Sequence, residues 1–272
     1  MLPTASAWLD SKTDGIHPGE IWIVAGRPGS GKTAWGLQTA RTSADNPARK
    51  VCFFSMEMEG WQLALRMFAS VKGYDCSKLV SGKQRITQED SAWFSKYITS
   101  INFDVVEFGF TFEEILTTLG RLFGKDSQPD LVVIDYVQLV DWSMEGSERI
   151  AIVKYMQQIK QMAKRTGMAF LIISQLKRPD RAEEYYRPPV LSDLKGSGSL
   201  EQDADRVVFL YKSIDDTGKV QHYLDIAKNR IGDTGKKTIN YEGKCYRFSD
   251  VEEDPDIAVI NDIFGGEVTE VE

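Results

Sequence analysis

The sequence predicts an α/β fold in which a mainly parallel, twisted sheet is flanked by helices and extended by antiparallel hairpins. The first observation is a series of short, almost continuously apolar runs, typical of strands buried on both faces. The second is their alternation with helical stretches, which favours a parallel sheet with helices on both sides. The third is a change of pattern after residue 206, where short segments separated by Gly and Asp indicate hairpins.

The elements follow in chain order from these patterns. The predicted strands are residues 20–25, 50–56, 103–108, 130–135, 168–174 and 206–212. The predicted helices are residues 32–44, 58–72, 88–100, 111–124 and 148–166. The segments predicted to form antiparallel hairpins at one edge are residues 222–228, 236–242 and 244–250. Residues 141–148 and 177–199 are the predicted flexible connections.

The composition excludes several classes of protein. The chain has 272 residues, of which 42% are hydrophobic, and no apolar stretch of about 18 residues that could span a membrane. The first residues lack the basic start and apolar run of a secretory signal. Cys52, Cys76 and Cys245 are far apart, which predicts a reducing, cytoplasmic compartment and no zinc site. With only His17 and His222, a histidine-rich metal site is also not expected.

Most of the negative charge lies at the C-terminus. Residues 250–272 hold nine acidic residues and no basic one, whereas residues 1–249 hold 31 acidic and 33 basic residues. A body this close to neutral is compatible with a nucleic-acid partner, because local basic loops can neutralise phosphates. We predict one domain, residues 1–249, followed by a flexible acidic tail. The tail would either repel DNA or dock on a basic partner, or serve only solubility.

A glycine-rich loop joins the first predicted strand to the first predicted helix. It reads GRPGSGKT and matches the pattern G-x-x-x-x-G-K-[ST] in full. In such loops backbone N–H groups surround phosphate oxygens, and the helix N-terminus adds partial positive charge. The pattern predicts a site for ATP or another nucleoside triphosphate with Mg²⁺, in which Lys32 reaches the β- and γ-phosphates and Thr33 is a metal ligand. The predicted binding residues are Gly26, Arg27, Pro28, Gly29, Ser30, Gly31, Lys32, Thr33 and Ala34.

Two acidic residues are predicted to complete this site. Asp135 ends an apolar strand at the edge where open α/β sheets bind ligands, so we expect it to hold Mg²⁺ through a water, or else to cap a turn. Tyr136 occupies the position where some proteins with this loop place Glu, so the residue that orients water must lie elsewhere. Glu57 directly follows the strand 50–56, which we expect beside the strand of the glycine-rich loop. We predict that Glu57 orients water; the alternative is a surface Glu that starts a helix.

The segment that begins at Gln175 is predicted to connect hydrolysis with nucleic-acid binding. The Gln175 amide closes a strand and can hydrogen-bond the γ-phosphate or its water; the alternative is a polar strand cap. The loop after it combines basic and aromatic residues, which suits a phosphate backbone with stacked bases, although a solvated loop has the same composition. These residues are Lys177, Arg178, Arg181, Tyr185, Tyr186 and Arg187.

Five segments together resemble one known family. They are FFSMEM, LVVIDYVQLV, LIISQLKR, LSDLKGSGSLEQDADRVVFLYK and IAKNRIGDTGKKTINYEGKCYRF. These are similar to the RecA-type motor domain of DnaB-type replicative helicases, and the resemblance runs from Leu2 to Phe248. It implies a RecA-like P-loop fold and an ATP-driven DNA helicase that moves 5′→3′ on single-stranded DNA as a hexameric ring.

The resemblance also implies roles for individual residues. Glu57 matches the family's catalytic glutamate, and Gln175 matches its γ-phosphate sensor. Lys228 and Arg230 match a basic pair that reaches the neighbouring subunit's nucleotide, with Arg230 as an arginine finger; taken alone they are edge-strand charges. The resemblance also implies that Lys195, Gly196, Ser197 and Gly198 lie in a DNA-contacting loop. Together with Lys177, Arg178 and Arg187 of the basic and aromatic segment, they are the predicted DNA contacts. The family usually has Arg-Glu where this chain has Lys195-Gly196, which removes one polar contact.

The resemblance further implies partners and a setting. We expect a homo-hexamer in a bacterial or phage-infected cell, with a primase or a helicase loader among its partners. The N-terminal domain and linker helix usual in the family do not precede Leu2, so the sequence is either a piece of a longer protein or a minimal helicase such as a phage encodes. We expect assembly to depend on ATP, DNA or protein concentration.

Two other functions remain open at this stage. One is a recombinase-like or signalling ATPase of the same fold that does not unwind DNA. The other is a nucleotide-binding, helicase-like adaptor that acts on a host replication ring with little turnover. Strand displacement on a forked substrate and rapid DNA-stimulated hydrolysis distinguish the helicase from both.

Overall fold

A single nine-stranded mixed sheet organises the part of the chain that the structure describes. The structure is a computed structural model, which describes residues 1–107, 111–122, 128–135, 137–139, 148–177, 179, 185–194, 197–215 and 217–251. The strands are β1 (Ile21–Gly26), β2 (Lys50–Ser55), β3 (Asn102–Glu107), β4 (Leu131–Asp135), β5 (Ala169–Gln175), β6 (Arg206–Ile214), β7 (Val220–Asn229), β8 (Gly235–Glu242) and β9 (Arg247–Asp250). Their spatial order is β3-β2-β4-β5-β1-β6-β7-β8-β9.

The sheet confirms the predicted division into a parallel and an antiparallel part. Strands β1 to β6 pair in parallel, and β7, β8 and β9 add antiparallel neighbours at one edge. The apolar runs are buried because both faces of the sheet are covered. In β1, Ile21 and Ile23 enter one hydrophobic core, whereas Trp22 and Val24 enter the other.

Helices cover the two faces of the sheet. They are α1 (Ala7–Thr13), α2 (Lys32–Ala44), α3 (Gly60–Lys72), α4 (Cys76–Val80), α5 (Gln88–Ser100), α6 (Phe112–Leu122), α7 (Glu148–Thr166) and α8 (Ser197–Asp203). Trp35 of α2 and Met67 of α3 pack into the core that contains Trp22, and Ile115 of α6 and Ile159 of α7 pack into the other. None of these described helices is both long and apolar enough to cross a membrane.

Three short helices depart from the sequence prediction, namely α1, α4 and α8. Helix α1 depends on a distant contact: the Ser6 hydroxyl caps Leu9 N at 3.2 Å and itself donates to Asp250 Oδ1 at 2.6 Å. Asp250 belongs to β9, so the first residue of the predicted tail is part of the sheet. Helix α8 begins at Ser197, within the segment predicted as a flexible connection. Such elements are fixed by tertiary contacts, which local sequence patterns do not report.

A largely buried ion pair at the beginning of β6 gives a stability prediction. The Arg206 side chain is 4% exposed, pairs with Glu20, and donates to Asn229 Oδ1 at 3.0 Å and Thr13 O at 3.2 Å. Removing Arg206 leaves the Glu20 carboxylate, whose side chain is 16% exposed, without its cation, so we expect Arg206→Met to lower the free energy of unfolding by about 3 kcal/mol. Denaturant unfolding measures this. The control Arg41→Met removes an exposed pair with Asp45 and should cost less than about 1 kcal/mol. Equal costs for both variants would contradict the prediction.

Candidate functional site

The glycine-rich loop is shaped by two glycines in the left-handed region. The loop leaves β1 at Gly26 and enters α2 at Lys32, with Gly29 at φ +75° and Gly31 at φ +90°. A Cβ on Gly31 would lie 2.7 Å from Phe248 Cζ, so space and backbone conformation both require glycine there. The hairpin strand β9 therefore packs directly on the loop, and the loop confirms the predicted strand–loop–helix context.

Lys32 lies inside the loop rather than in solvent. Its ammonium donates to the Arg27 carbonyl at 3.1 Å. Burial lowers the pKa of Lys32 to about 8, and the carboxylates of Asp135 and Glu57 oppose this shift. Lys32 thus stays mainly charged at neutral pH, where an arriving phosphate would compete with the Arg27 carbonyl for its protons.

Asp135 is the fully buried acid at the end of β4. Neither of its carboxylate oxygens accepts a hydrogen bond of ordinary geometry within the described residues. Burial raises the pKa of Asp135 to about 6 and Glu57 acts in the same direction, whereas the Thr33 hydroxyl and Lys32 partly oppose the rise. A buried carboxylate without a donor is costly unless a cation or water completes it. Asp135 and Thr33 together offer the oxygen ligands that Mg²⁺ prefers.

A cavity of about 310 Å³ brings most of the predicted residues together. Its lining includes Glu57, Asp135, Gln175 and much of the glycine-rich loop. The complete lining is Pro28, Gly29, Gly31, Lys32, Thr33, Ala34, Glu57, Met58, Arg66, Asp135, Gln175 and Tyr246. Gly26, Arg27 and Ser30 were predicted to bind nucleotide but do not line this cavity.

Glu57 reaches the cavity by a different route from the one predicted. Strand β2 is not adjacent to β1, because β4 and β5 lie between them. Instead β2 pairs with β4 in a register that aligns Ser55 with Asp135, and Met56 N donates to the Asp135 carbonyl at 2.8 Å. The carboxyl ends of all these strands meet at one edge, so Glu57 still faces the glycine-rich loop.

Gln175 is the register partner of Gly26 at the end of β5. Its backbone N–H donates to Gln138 Oε1 at 3.0 Å, and Gln138 Nε2 donates to Ser174 Oγ at 2.8 Å. This fixes the backbone of Gln175 while its side chain lines the cavity. Gln138 was not singled out in the sequence, because its role depends on the pairing of β4 with β5.

Arg66 and Tyr246 are cavity residues that the sequence interpretation missed. The Arg66 guanidinium lies 4.3 Å from the centre of the Tyr246 ring. Tyr246 adopts φ +55°, which is uncommon for a residue other than glycine and marks a constrained turn between β8 and β9. Arg66 comes from α3, so no local spacing in the sequence connects it with Tyr246.

Lys228 and Arg230 lie at the end of the sheet where the parallel strands begin, whereas the cavity lies at the end where they finish. Strand β7 runs antiparallel to β6, and Arg206, the first residue of β6, aligns with Asn229. Arg230 forms an ion pair with Asp205 at 3.1 Å and donates to the Gln202 carbonyl at 2.8 Å. Lys228 donates to the Glu201 carbonyl, and burial lowers its pKa with Arg230 acting in the same direction. Neither residue lines its own chain's cavity.

The predicted DNA contacts are only partly described. Lys177 is exposed and donates to the Ser192 carbonyl at 3.1 Å, and Arg187 pairs with Asp193 at 3.0 Å. Ser197 begins α8 and Gly198 lies exposed within it. Arg178, Arg181, Lys195 and Gly196 lie outside the described residues.

The chain is similar to known proteins over most of its length. The family described as DnaB-like helicase C terminal domain matches residues 2–250. The replicative DNA helicases DnaB of Pasteurella multocida (strain Pm70) and of Geobacillus stearothermophilus are each 30% identical over 92% of this chain, covering 55% and 57% of their own lengths. The chain thus spans about half the length of these curated relatives.

Two solved structures agree with this comparison. A DnaB-like replicative helicase, studied with its interactions with primase, has a TM-score of 0.80 and 27% identity over 92% of this chain and 63% of its own. A second structure, that of an ATPase domain, has the same TM-score and identity, over 92% of this chain and 91% of its own. The predicted RecA-like P-loop fold is confirmed, and the chain belongs to the DnaB-like helicase C-terminal domain family.

Proposed function

We propose that this chain is the motor of an ATP-dependent replicative DNA helicase that hydrolyses nucleoside triphosphate between subunits of a ring and moves 5′→3′ on single-stranded DNA. The observation that carries the proposal is where the structure places the residues to which we assign catalytic roles. One cavity, at the carboxyl ends of the parallel strands, is lined by Lys32, Asp135, Glu57 and Gln175. Arg230 lies at the other end of the same strands. A site that combines residues from both ends requires a second copy of the chain.

The proposed binding step uses the glycine-rich loop and Lys32. Backbone N–H groups at the start of α2 face the phosphates, and Lys32 leaves the Arg27 carbonyl for a phosphate oxygen. Asp135 and Thr33 are the residues that would hold Mg²⁺, consistent with the unsatisfied carboxylate of Asp135. Bound there with the nucleotide, Mg²⁺ would neutralise charge on the β- and γ-phosphates.

The proposed chemical step depends on Glu57, Gln175 and a cation from the next subunit. Glu57 orients the attacking water, and Gln175 hydrogen-bonds the γ-phosphate or that water. Developing charge on the γ-phosphate is stabilised by the guanidinium of Arg230 of the neighbouring copy. Lys228 lies two residues before Arg230 and adds positive charge at the same seam.

DNA is proposed to contact the segment that follows β5. The proposed contacts are Lys177, Arg178, Arg187, Lys195, Gly196, Ser197 and Gly198. Backbone N–H groups of a glycine- and serine-rich segment, which here includes the start of α8, can bind phosphates without reading sequence, as a translocating motor requires. The relatives are bacterial replicative helicases, and one solved neighbour interacts with primase, so we propose a bacterial or phage-infected cytoplasm as the setting. A homo-hexamer and a primase or loader as partners belong to the same proposal.

Strand displacement on a forked DNA substrate tests the proposed function directly. We expect the protein to unwind a fork with a 5′ single-stranded arm and to hydrolyse ATP faster when single-stranded DNA is present. Lys32→Ala should abolish both activities, since it removes the cation that contacts the phosphates. DNA-stimulated hydrolysis without unwinding would favour the recombinase-like or signalling alternative, and binding without turnover would favour the adaptor.

A further inference from the structure

Residues 185–194, which we call the strap, are fastened to the glycine-rich loop by a buried arginine. Arg27 Nη1 donates to the Tyr185 carbonyl at 2.6 Å and to the Arg187 carbonyl at 2.7 Å. In return, the Tyr185 hydroxyl donates to the Pro28 carbonyl at 2.9 Å. Arg27 is 4% exposed and does not line the cavity, and both of these hydrogen bonds from its guanidinium go to the strap.

The strap is braced internally and joined to the end of β5. Arg187 forms a two-point ion pair with Asp193, whose carboxylate also accepts from Val190 N at 2.9 Å. Lys177 N donates to the Asp193 carbonyl at 2.8 Å, and a bridge pairs Leu176 with Leu194. A continuous series of contacts therefore links the glycine-rich loop, through the strap, to Leu176, the residue after Gln175.

The strap lies between the nucleotide cavity and the proposed DNA contacts in the chain. It ends at Leu194, immediately before the proposed DNA contact that starts at Lys195. Its other connection, Leu176, directly follows Gln175 in the nucleotide cavity. Burying a guanidinium is costly, and hydrogen bonds to two carbonyl groups of the strap offset part of that cost.

Nucleotide binding would change this series of contacts through Lys32. In this structure the Lys32 ammonium holds the carbonyl of Arg27, the residue whose side chain holds the strap. The carbonyl also accepts a hydrogen bond from Ser30 N at 3.2 Å. A phosphate that captures Lys32 would remove one of these two donors and so weaken the hold on the backbone of Arg27, to which the strap is attached. Gly29 and Gly31, which follow Arg27 in the loop and adopt positive φ, permit backbone conformations closed to other residues.

We propose that Arg27 is a positioning residue that couples nucleotide occupancy to the grip on single-stranded DNA, acting through the strap. This inference rests on the proposed function, because it assumes that the segments flanking the strap contact DNA. Coupling of this kind is reciprocal: nucleotide changes the affinity for DNA by the same factor as DNA changes the affinity for nucleotide.

The test is the affinity for a fluorescein-labelled oligothymidine, measured by anisotropy with Mg²⁺ in the absence and presence of AMP-PNP. For the unaltered protein we expect the two dissociation constants to differ by about tenfold or more. Arg27→Met removes the hydrogen bonds that join the glycine-rich loop to the strap, and Asp193→Asn removes the ion pair within the strap. Each substitution should bring the ratio of the two dissociation constants to within about twofold of one. Asp193→Asn leaves the glycine-rich loop unaltered, so its result does not depend on whether Arg27→Met folds.

Asp45→Asn is the matched control, because it removes an ion pair with Arg41 at the far end of α2. It should keep the ratio of the unaltered protein. If Asp193→Asn and a folded Arg27→Met both keep that ratio too, the coupling role of Arg27 is overturned while the proposed motor function stands. If the unaltered protein itself binds DNA equally with and without nucleotide, or binds none, the proposed function fails and this inference fails with it.

Discussion

Arg230→Ala lowers the turnover number of DNA-stimulated ATP hydrolysis by about 10³- to 10⁵-fold, on the expectation that Arg230 acts as an arginine finger. The physical reason is that a fixed guanidinium stabilises charge that develops only in the transition state. Nucleotide affinity should change little, because Arg230 and the cavity of its own chain lie at opposite ends of the parallel strands.

Steady-state hydrolysis and equilibrium binding of a fluorescent ATP analogue measure the two quantities separately. Arg230 also pairs with Asp205, so thermal unfolding of each variant must accompany the kinetics. Lys219→Ala removes an exposed cation at the turn before β7 and is the control that should remain active. A turnover number within a few-fold of the unaltered protein for Arg230→Ala would exclude the finger.

Glu57→Gln should lower the turnover number by about 10²- to 10⁴-fold, since a positioned general base contributes about that much. The amide keeps the shape of the side chain but cannot accept a proton from water. ATP binding should persist, because the glycine-rich loop and Lys32 are unaltered.

Glu59→Gln is a close control for Glu57→Gln. Glu59 lies two residues further along the chain, is exposed, and caps α3 without lining the cavity. Rapid-quench measurement of the hydrolysis step should show normal rates for Glu59→Gln and a loss for Glu57→Gln alone. An equal loss in both variants would indicate a general effect of charge near α3 instead of a role in orienting water.

The sequence alone predicted those parts of the fold and of the candidate cavity that depend on neighbouring residues. The glycine-rich loop, its flanking strand and helix, and Asp135 at a strand end were all predicted, because phosphate binding and strand burial are local properties. Gln175 was placed for the same reason. The cavity that joins these residues follows from the shared carboxyl edge of a parallel sheet.

Features that depend on the spatial order of strands could not be predicted in the same way. The expectation that β2 lies beside β1 was wrong, because nothing in a strand's own sequence reports its neighbours in the sheet. Tyr246 and Arg66 meet only after β8 and β9 fold back over α2 and α3. The contact of Arg27 with the strap is invisible for the same reason, since about 160 residues separate the partners.

The proposed division of catalytic residues between the two ends of the parallel strands has the widest consequence. An interface of this kind is head-to-tail, with the cavity face of one copy against the Arg230 face of the next, and such interfaces close into rings when the rotation permits. Hydrolysis at every seam is then coupled to the relative position of neighbouring copies. A ring whose subunits shift with each hydrolysis step is suited to moving along a strand.

Mixing two inactive variants tests this shared site most directly. Glu57→Gln keeps a working Arg230, and Arg230→Ala keeps a working cavity, so a seam between the two contains one complete site whenever they meet in the right order. Each variant alone should be inactive, and an equimolar mixture should regain about a quarter of the DNA-stimulated activity, as random assembly at head-to-tail seams predicts. A mixture no more active than its separate components would contradict a catalytic site built from two copies of the chain.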